Sequence, residues 1–183
     1  MTEPQKAEDL SQTYWIIEPK YTSFEFSVKS FFFFTVKGKF SDFLGNVLID
    51  EGVIQRSSVE VAIKSPSIST GILRRDNHLR SDAFLDVAKH PLISFQSTAV
   101  EKGRDRNTLR VTGNLVVKGI SKELVLDVEE TDYSRSPQGE EVAYFIAQTK
   151  INRFDFGVRY GKWLIGRTLK VTIQAQATKK PGQ

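Results

Sequence analysis

Residues 69–95, STGILRRDNHLRSDAFLDVAKHPLISF, interrupt a chain that otherwise alternates apolar and polar residues. The segments on either side, VEVAIK at 59–64 and FQSTAVE at 95–101, repeat with a period of two, which is typical of strands that are buried on one face. Within the interruption the charges crowd together and the period changes. Both histidines of the chain, His78 and His90, also lie here, so a metal or catalytic site is the first hypothesis to test.

The strand-like alternation extends through most of the remaining chain. In TSFEFSVK, residues 22–29, the side chains of Phe24, Phe26 and Val28 fall on one face and polar side chains fall on the other. Similar patterns form about eight segments, and several are separated by short polar or glycine-containing turns that typically join antiparallel neighbours. Because closing such a sheet removes its edges, we predict an all-β fold, an eight-stranded antiparallel barrel over residues 13–178.

The charged interruption is predicted to close one end of this barrel. A turn at residues 70–71 follows the preceding strand, and Asp82 is suited to cap a short helix over residues 83–90, AFLDVAKH, which Pro91 ends. The whole segment 70–91, which we call the lid, then joins two strands across the barrel end. Its apolar side chains are predicted to face the barrel and its charged side chains the solvent.

Composition narrows the classes of function. Of 183 residues, 39% are hydrophobic, which suffices for one core, and the net charge of +4 comes from basic residues spread along the chain, a weak indication of anionic partners. The absence of cysteine excludes disulfides, zinc–thiolate sites and thiol nucleophiles. No secretory signal or membrane-spanning run is recognisable, so we expect a cytoplasmic location. Residues 1–12 and 179–183 are predicted to be flexible tails.

The barrel interior is predicted to be aromatic, since the chain has 13 Phe and one Met. An eight-stranded barrel is wide enough either to be filled by its own side chains or to hold one ligand. The alternation alone favours a filled core.

Several motifs in order along the chain, from Trp15 to about Ala177, resemble the YceI-like family of lipocalin-like barrels, which are associated with binding of polyisoprenoid lipids. They are WIIEPKYTSFEFSVK at 15–29, VKGKFSDFLGNV at 36–47, SPSISTGILRRDNHLRSDAFLDVAKHPLISFQST at 65–98, VTGNLVVKGISKELVLDV at 111–128, INRFDFGV at 151–158 and LIGRTLKVTIQAQA at 164–177. The resemblance implies an extended eight-stranded barrel with a long apolar pocket for an isoprenoid or similar lipid tail. It shifts the expectation from a filled core to a ligand cavity.

Ten residues are predicted to bind the ligand of such a pocket. The predicted tail contacts are Phe26, Val28, Phe40, Val61, Phe95, Leu115, Phe154, Phe156 and Trp163. Arg75 is predicted to lie near the head group, because a guanidinium presents a fixed fork of donors. A structural role is favoured for Arg75 and Asp76, as an ion pair with Asp155 or Arg153 that holds the lid, and the two roles are compatible.

The sequence departs from the family pattern in two ways. Tyr21 and Ser30 stand where the family commonly has histidines, so no head-group contact is carried over to them. Four consecutive phenylalanines at 31–34 exceed ordinary alternation and cannot all face inward on one strand. They form either a rim that touches a membrane or a partner, or a surface buried under the lid or against a second subunit, and we favour burial.

Other chemistries are weakly supported. His78 and His90, with Asp76, Asp82 and Asp86 near them, contain metal-ligand types, but their spacing fits no compact ligand pattern, so we expect no metal and no cofactor. The mixture of basic and aromatic residues in VRYGKWLIGR, 158–167, could stack on single-stranded nucleic acid, but a strand edge with basic side chains is the plainer interpretation. No nucleophile elbow, phosphate loop or dinucleotide fingerprint is present.

We therefore predict a protein that is not an enzyme and that sequesters or carries one amphiphilic lipid, such as a polyisoprenoid or an isoprenoid quinone. The alternatives are an enzyme that acts on a lipid or quinone through His78 or a carboxylate, and a filled-barrel stress or interaction protein. The sequence leaves open the ligand, its head group, the direction of transfer, transient membrane contact and a homodimer.

Overall fold

The computed structural model describes residues 12–181, and in this part of the chain eleven strand segments form one antiparallel sheet. The strands are β1 Gln12–Ile17, β2 Ser23–Ser30, β3 Phe34–Phe40, β4 Phe43–Asp50, β5 Ser58–Lys64, β6 Ile68–Ser69, β7 Leu92–Lys102, β8 Thr108–Val117, β9 Ile120–Arg135, β10 Glu141–Asn152 and β11 Thr168–Lys180. The α-helix α1, Leu73–Arg80, lies between β6 and β7.

The eleven segments make eight barrel strands. Both β1 and β2 pair with β11, at its end and at its start respectively, so they lie end to end and are separated only by the 3₁₀ turn Pro19–Tyr21. Likewise β3 continues into β4 and β5 continues into β6, because β4 pairs with β1 and β5 while β3 pairs with β2 and β6. The β1–β11 pairing closes the ring. The predicted eight-stranded antiparallel barrel is confirmed.

The period-two alternation places apolar side chains inside the barrel because burial removes them from water. In β2, Phe24 and Val28 are buried while Glu25 and Lys29 between and beside them are exposed. The largest buried cluster joins strands β7, β8 and β9 through Ile93, Phe95, Val100, Val111, Leu115 and Leu126, together with Phe156. A second cluster, Ile17, Phe24 and Phe43, lies where β1, β2 and β4 meet.

The lid covers one end of the barrel as predicted, but its helix is in a different place. Helix α1 spans residues 73–80, whereas the predicted helix at 83–90 is a series of turns. Asp86 has φ of 49°, which a right-handed helix cannot contain, and its N–H donates to the Ser81 carbonyl at 2.8 Å. The main-chain carbonyl of Asp82 accepts from Lys118 Nζ at 2.9 Å. The predicted cap and helix are therefore wrong, although Phe84 is buried as expected.

The barrel is longer at both termini than the sequence predicts. Gln12 pairs with Asp50, while Lys179 and Lys180 pair with Trp15 and Tyr14. The predicted tail boundaries at 12 and 179 are corrected accordingly, since closure of the ring supplies partners for these residues. The rest of the predicted tails, residues 1–11 and 182–183, lies outside the described residues.

Four segments meet at the end of the barrel that carries the lid, which we call the lid end. They are the lid itself, the turn at 31–33 between β2 and β3, the turn at 118–119 between β8 and β9, and the loop at 153–167 between β10 and β11. The turns at 51–57 and 103–107 lie at the far end. No helix in residues 12–181 is long and apolar enough to cross a membrane.

Candidate functional site

A cavity of about 760 Å³ occupies the barrel interior. Its wall is mostly apolar, and its volume lies within the range of small-molecule sites. Eight of the ten predicted ligand-binding residues lie in this wall: Phe26, Val28, Phe40, Val61, Arg75, Phe95, Leu115 and Phe156. That these side chains contact a ligand remains a prediction.

The cavity stays open because two phenylalanine rings lie over glycines of the adjacent strand. Phe26 in β2 pairs with Gly38 in β3, and a methyl group added at Gly38 would overlap the Phe26 ring. A methyl group at Gly113 in β8 would likewise stand 2.6 Å from Phe95 Cζ. Each ring therefore occupies wall space that a side chain on the next strand would otherwise fill.

Small side chains on β10 and β11 add to this space. Ala147 in β10 and Ala175 and Ala177 in β11 all line the cavity. The filled core that alternation alone favours is therefore wrong, because alternation sets which side chains point inward and leaves open whether they fill the lumen.

Two predicted tail contacts, Phe154 and Trp163, do not line the cavity. Phe154 belongs to the 3₁₀ turn Arg153–Phe156, and the guanidinium carbons of Arg153 and Arg167 lie 4.8 and 5.0 Å from its ring centre. Trp163 is 79% exposed on the loop that follows. The assignment of Phe154 assumed strand alternation, which does not hold in the turn that it occupies, and Trp163 lies on a loop.

The cavity runs along the barrel axis and has polar groups at both ends. At the far end, the exposed residues Glu51, Lys102, Arg106 and Glu130 contribute to its wall. At the lid end, Arg75, His78, Arg153 and Tyr160 contribute. Apart from Arg75, these residues were not among the predicted binding residues, since none of them belongs to the apolar face of an alternating strand.

Arg75 and Asp76 fold the start of the lid onto Thr70. Arg75 Nε donates to Thr70 Oγ1 at 2.7 Å, and its Nη2 donates to the Thr70 carbonyl at 3.0 Å. Asp76 is buried and its Oδ1 accepts from Thr70 N at 2.8 Å and from Thr70 Oγ1 at 2.5 Å. The hydrogen bond from the Thr70 side chain lowers the pKa of Asp76 below its usual 3.8, against the opposing effect of burial.

The predicted ion pair of these residues with Arg153 or Asp155 is wrong. Arg153 is buried and donates to main-chain carbonyls of its own loop: Nε to Gly166 at 2.8 Å, Nη1 to Val158 and Tyr160 at 2.8 Å each, and Nη2 to Ile165 at 2.9 Å. Burial lowers the pKa of this guanidinium.

The other predicted partner, Asp155, accepts a hydrogen bond from Asn152 Nδ2 at 3.1 Å. Sequence offers no signal for the carbonyl cluster around Arg153, because the loop closes on itself only in three dimensions.

The lid meets the 153–167 loop through three aromatic rings. His78 packs edge-on against Phe84, at 5.0 Å between ring centres, and against Tyr160, at 4.7 Å. Phe84 and Tyr160 are 5.1 Å apart. We call His78, Phe84 and Tyr160 the lid clamp, since these three rings join the lid to the 153–167 loop.

The two histidines have different environments. The His78 ring lies in the lid clamp, whereas His90 lies beside Gly119 and its carbonyl accepts from Ser65 Oγ at 2.6 Å. Within residues 12–181, no three side chains of His, Cys, Asp or Glu converge in a way that could hold a metal ion.

Tyr21 and Ser30, which stand where the family commonly has histidines, also lie in different environments. Ser30 is buried in the cavity wall, whereas Tyr21 is exposed.

Comparison with known proteins identifies the barrel. The family model of the YceI-like domain matches residues 15–177. The chain belongs to the YceI-like family. A UPF0312 protein of Vibrio campbellii is 33% identical over 147 residues, which cover 79% of this chain and 77% of the relative.

Solved structures support the same fold for this YceI-like protein. BcnA of Burkholderia cenocepacia superposes with a TM-score of 0.78 at 18% identity, covering 87% of this chain and 98% of BcnA. A polyisoprenoid binding domain from Saccharophagus degradans superposes with a TM-score of 0.64 at 14% identity, covering 91% and 98% of the two chains. At these identities the likeness concerns the fold alone.

Proposed function

We propose that this YceI-like protein sequesters or carries one amphiphilic lipid, with its tail in the barrel cavity. The observation that carries the proposal is the apolar cavity of about 760 Å³ that runs along the barrel axis and has charged side chains at both ends. An apolar wall suits a hydrocarbon tail, and polar ends suit a head group. The polyisoprenoid binding domain of Saccharophagus degradans, which shares the fold, supports this assignment.

The driving force would be desolvation of the tail. Each CH₂ group moved from water into an apolar environment contributes about 0.8 kcal/mol, so a long chain offsets the losses of association. A branched isoprenoid chain, an isoprenoid quinone or a similar long-chain molecule satisfies this requirement.

We propose that the head group lies at the lid end, near Arg75. Two of the guanidinium nitrogens of Arg75 donate to Thr70, which orients the side chain in the cavity wall. A guanidinium has five N–H donors, so part of the fork stays available for oxygen atoms of a head group.

The proposed role is transport or storage in the cytoplasm, without a chemical step. In the competing enzymatic role, His78 would act on a lipid or quinone. The described contacts of its ring are edge-on packing with Phe84 and Tyr160, an arrangement that suits a gate better than a general base.

Native mass spectrometry of the protein as purified tests the proposal, followed by binding of isoprenoid alcohols of increasing chain length to the lipid-free protein. We expect an apolar adduct and an affinity that rises with chain length until the cavity is full. Absence of binding at every length would refute the carrier. Turnover of a bound lipid or quinone that His78→Ala abolishes while binding persists would establish the enzyme instead.

A further inference from the structure

Six large apolar side chains form an exposed surface at the lid end. They are Phe31, Phe32, Phe33, Phe34, Trp163 and Leu164, and we call them the aromatic tip. Phe33 is 86% exposed, so the four phenylalanines are not covered by the lid, which corrects the favoured expectation of burial under it. Soluble monomers seldom expose contiguous apolar surface of this kind without a binding role.

The aromatic tip is one ordered surface, although it comes from two segments. Phe31 N donates to the Leu164 carbonyl at 2.7 Å, and Gly166 N donates to the Lys29 carbonyl at 2.8 Å. An isolated bridge between Ser30 and Ile165 completes the pairing. The turn at 31–33 and the loop that carries Trp163 therefore hold each other in place.

The turn is built from residues that are poorly suited to its backbone. Phe31 and Phe32 have φ of 49° and 65°, in the left-handed region that bulky residues rarely adopt. Glycine or asparagine would form such a turn at lower cost. Phenylalanine at both positions therefore works against the stability of the turn and puts two more rings into solvent, which is consistent with a role in binding.

Positive charge surrounds the aromatic tip. Residues 29–37 and 159–167, which contain it, include Lys29, Lys37, Arg159, Lys162 and Arg167 and no acidic residue. The rest of the chain contains 21 basic and 22 acidic residues. The net positive charge is therefore concentrated at the lid end, and is not spread evenly as the sequence suggested.

We propose that the aromatic tip is a docking surface for an anionic phospholipid bilayer. Trp and Phe side chains at a protruding turn suit the interfacial region of a bilayer, and the surrounding Lys and Arg side chains suit its anionic head groups. A second copy of this chain fits less well, because a two-fold interface would bring five like charges against five.

Docking in this orientation would place the lid against the bilayer. Tyr160 of the lid clamp lies three residues before Trp163, in the same loop. The end of the cavity that Arg75 and His78 line thus faces the surface from which a lipid would come. The docking inference itself does not rest on the proposed cargo, because the aromatic tip lies outside the cavity.

Binding to vesicles tests the proposal without any cargo. The protein is mixed with vesicles of phosphatidylcholine alone or with vesicles that also contain roughly 30% phosphatidylglycerol, whose negative surface potential attracts basic side chains, and bound protein is measured by sedimentation. We expect binding to the anionic vesicles that weakens as salt is added, since salt screens exposed charges. Phe32→Ser with Phe33→Ser should weaken it at least tenfold.

Matched control variants test whether vesicle binding depends on the aromatic tip itself, or only on exposed apolar side chains and net charge anywhere on the protein. Leu44→Ser with Tyr21→Ser removes two exposed apolar side chains elsewhere and should leave vesicle binding unchanged. Lys37→Glu with Lys162→Glu should abolish binding, whereas Arg104→Glu with Arg110→Glu, which changes the net charge equally, should retain most of it.

Fluorescence of Trp163 gives a second measurement on an intact aromatic tip. In Trp15→Phe, which removes the buried tryptophan, the remaining Trp163 emission should shift to shorter wavelength with anionic vesicles and not with neutral ones. Equal binding by the Phe32/Phe33 and control variants, no vesicle binding by the wild type, or a Phe32/Phe33 effect on self-association alone would overturn the proposal. None of these results would affect lipid uptake into the cavity, so failure of docking and failure of the carrier are distinguishable.

Discussion

Single residues determine how much of the barrel interior stays empty. Phe26 and Phe95 carry large rings, yet both rings lie over a glycine of the next strand, Gly38 or Gly113. The wall is aromatic while the lumen remains available, because the ring volume is accommodated where the neighbouring side chain is missing. Substitution of one of these glycines can therefore close the pocket as readily as substitution of a residue that lines it.

Gly38→Ala should narrow the cavity while the fold is kept. The new methyl group overlaps the far end of the Phe26 ring and approaches Thr70 Cγ2 at 2.9 Å, so the ring must turn away from the wall. We expect weaker binding of long or branched lipids, measured by titration of the lipid-free protein. Phe26→Leu with Gly38→Ala should restore binding, since leucine lacks the ring atoms that clash. Equal affinity of wild type and Gly38→Ala would contradict this mechanism.

Val61→Phe should discriminate between a cavity and a filled core. Val61 lines the cavity and is paired with Phe95, so a larger side chain would intrude on a bound tail. We expect long chains to lose more affinity than short ones, with unfolding stability nearly unchanged. In a filled core, overpacking would instead cost about 1 to 3 kcal/mol of stability. Val53→Phe, in an exposed turn outside the cavity wall, is the matched control.

At the scale of elements, the lid depends on one buried carboxylate more than on its helix. Helix α1 is short and polar, and isolated helices of this length are unstable in water. Asp76 connects it to the end of β6 by accepting from the main chain and side chain of Thr70 and, at 3.4 Å, from Ser69 Oγ. The lid should therefore loosen when this carboxylate is removed or protonated.

Asp76→Ala should lower the free energy of unfolding by about 1 to 3 kcal/mol, because it leaves the donors of Thr70 without their partner. Release of a bound fluorescent lipid should become faster, and lipids with different head groups should be affected in parallel. Asp82→Ala, an exposed carboxylate of the same lid, should change neither quantity. A loss that depended strongly on the head group would indicate a direct binding role instead.

The same carboxylate gives a pH dependence with a definite sign. Its pKa is lower in the folded protein than the ordinary 3.8, so folding favours the ionised form. The stabilisation is complete above pH 3.8 and disappears as the pH falls below that value through the folded pKa. The stability difference between wild type and Asp76→Asn should shrink over this interval, as measured by denaturant unfolding at a series of pH values.

At the scale of the whole molecule, the strand pairing that closes the ring is independent of the packing that leaves the cavity open. Continuous pairing of eight strands leaves the barrel without a free edge. The buried clusters on both sides of the lumen, around Val111 and around Phe43, pack along the wall. The barrel should therefore keep its shape when the cavity holds no lipid.

The lipid-free protein should consequently stay folded but melt at a lower temperature than the loaded one. A ligand that binds only the folded state adds about 2.7 kcal/mol at one hundred times its dissociation constant, so adding lipid back should restore the melting temperature. Far-ultraviolet circular dichroism followed during heating measures both effects. Loss of the β spectrum on lipid removal would show that the ligand forms part of the core.

The sequence by itself determined the eight strands, the inward face of each and the position of the lid. These features are local, because a period of two assigns side chains to faces wherever the chain is a strand. Six of the ten predicted ligand-binding residues lie on strands, and all six accordingly line the cavity wall, including Phe26, Phe95 and Leu115. Family motifs spread from Trp15 to Ala177 pointed to the same barrel.

Only the tertiary structure decided what depends on neighbours that are distant in sequence. Phe154 and Trp163 lie outside the cavity because the chain there leaves the strand, and the lid helix precedes its predicted position because Asp86 adopts a left-handed conformation. The open lumen depends on the register that places Phe26 opposite Gly38. Strand pairing and packing across the barrel determine these features, and neither can be predicted from the local pattern of residues.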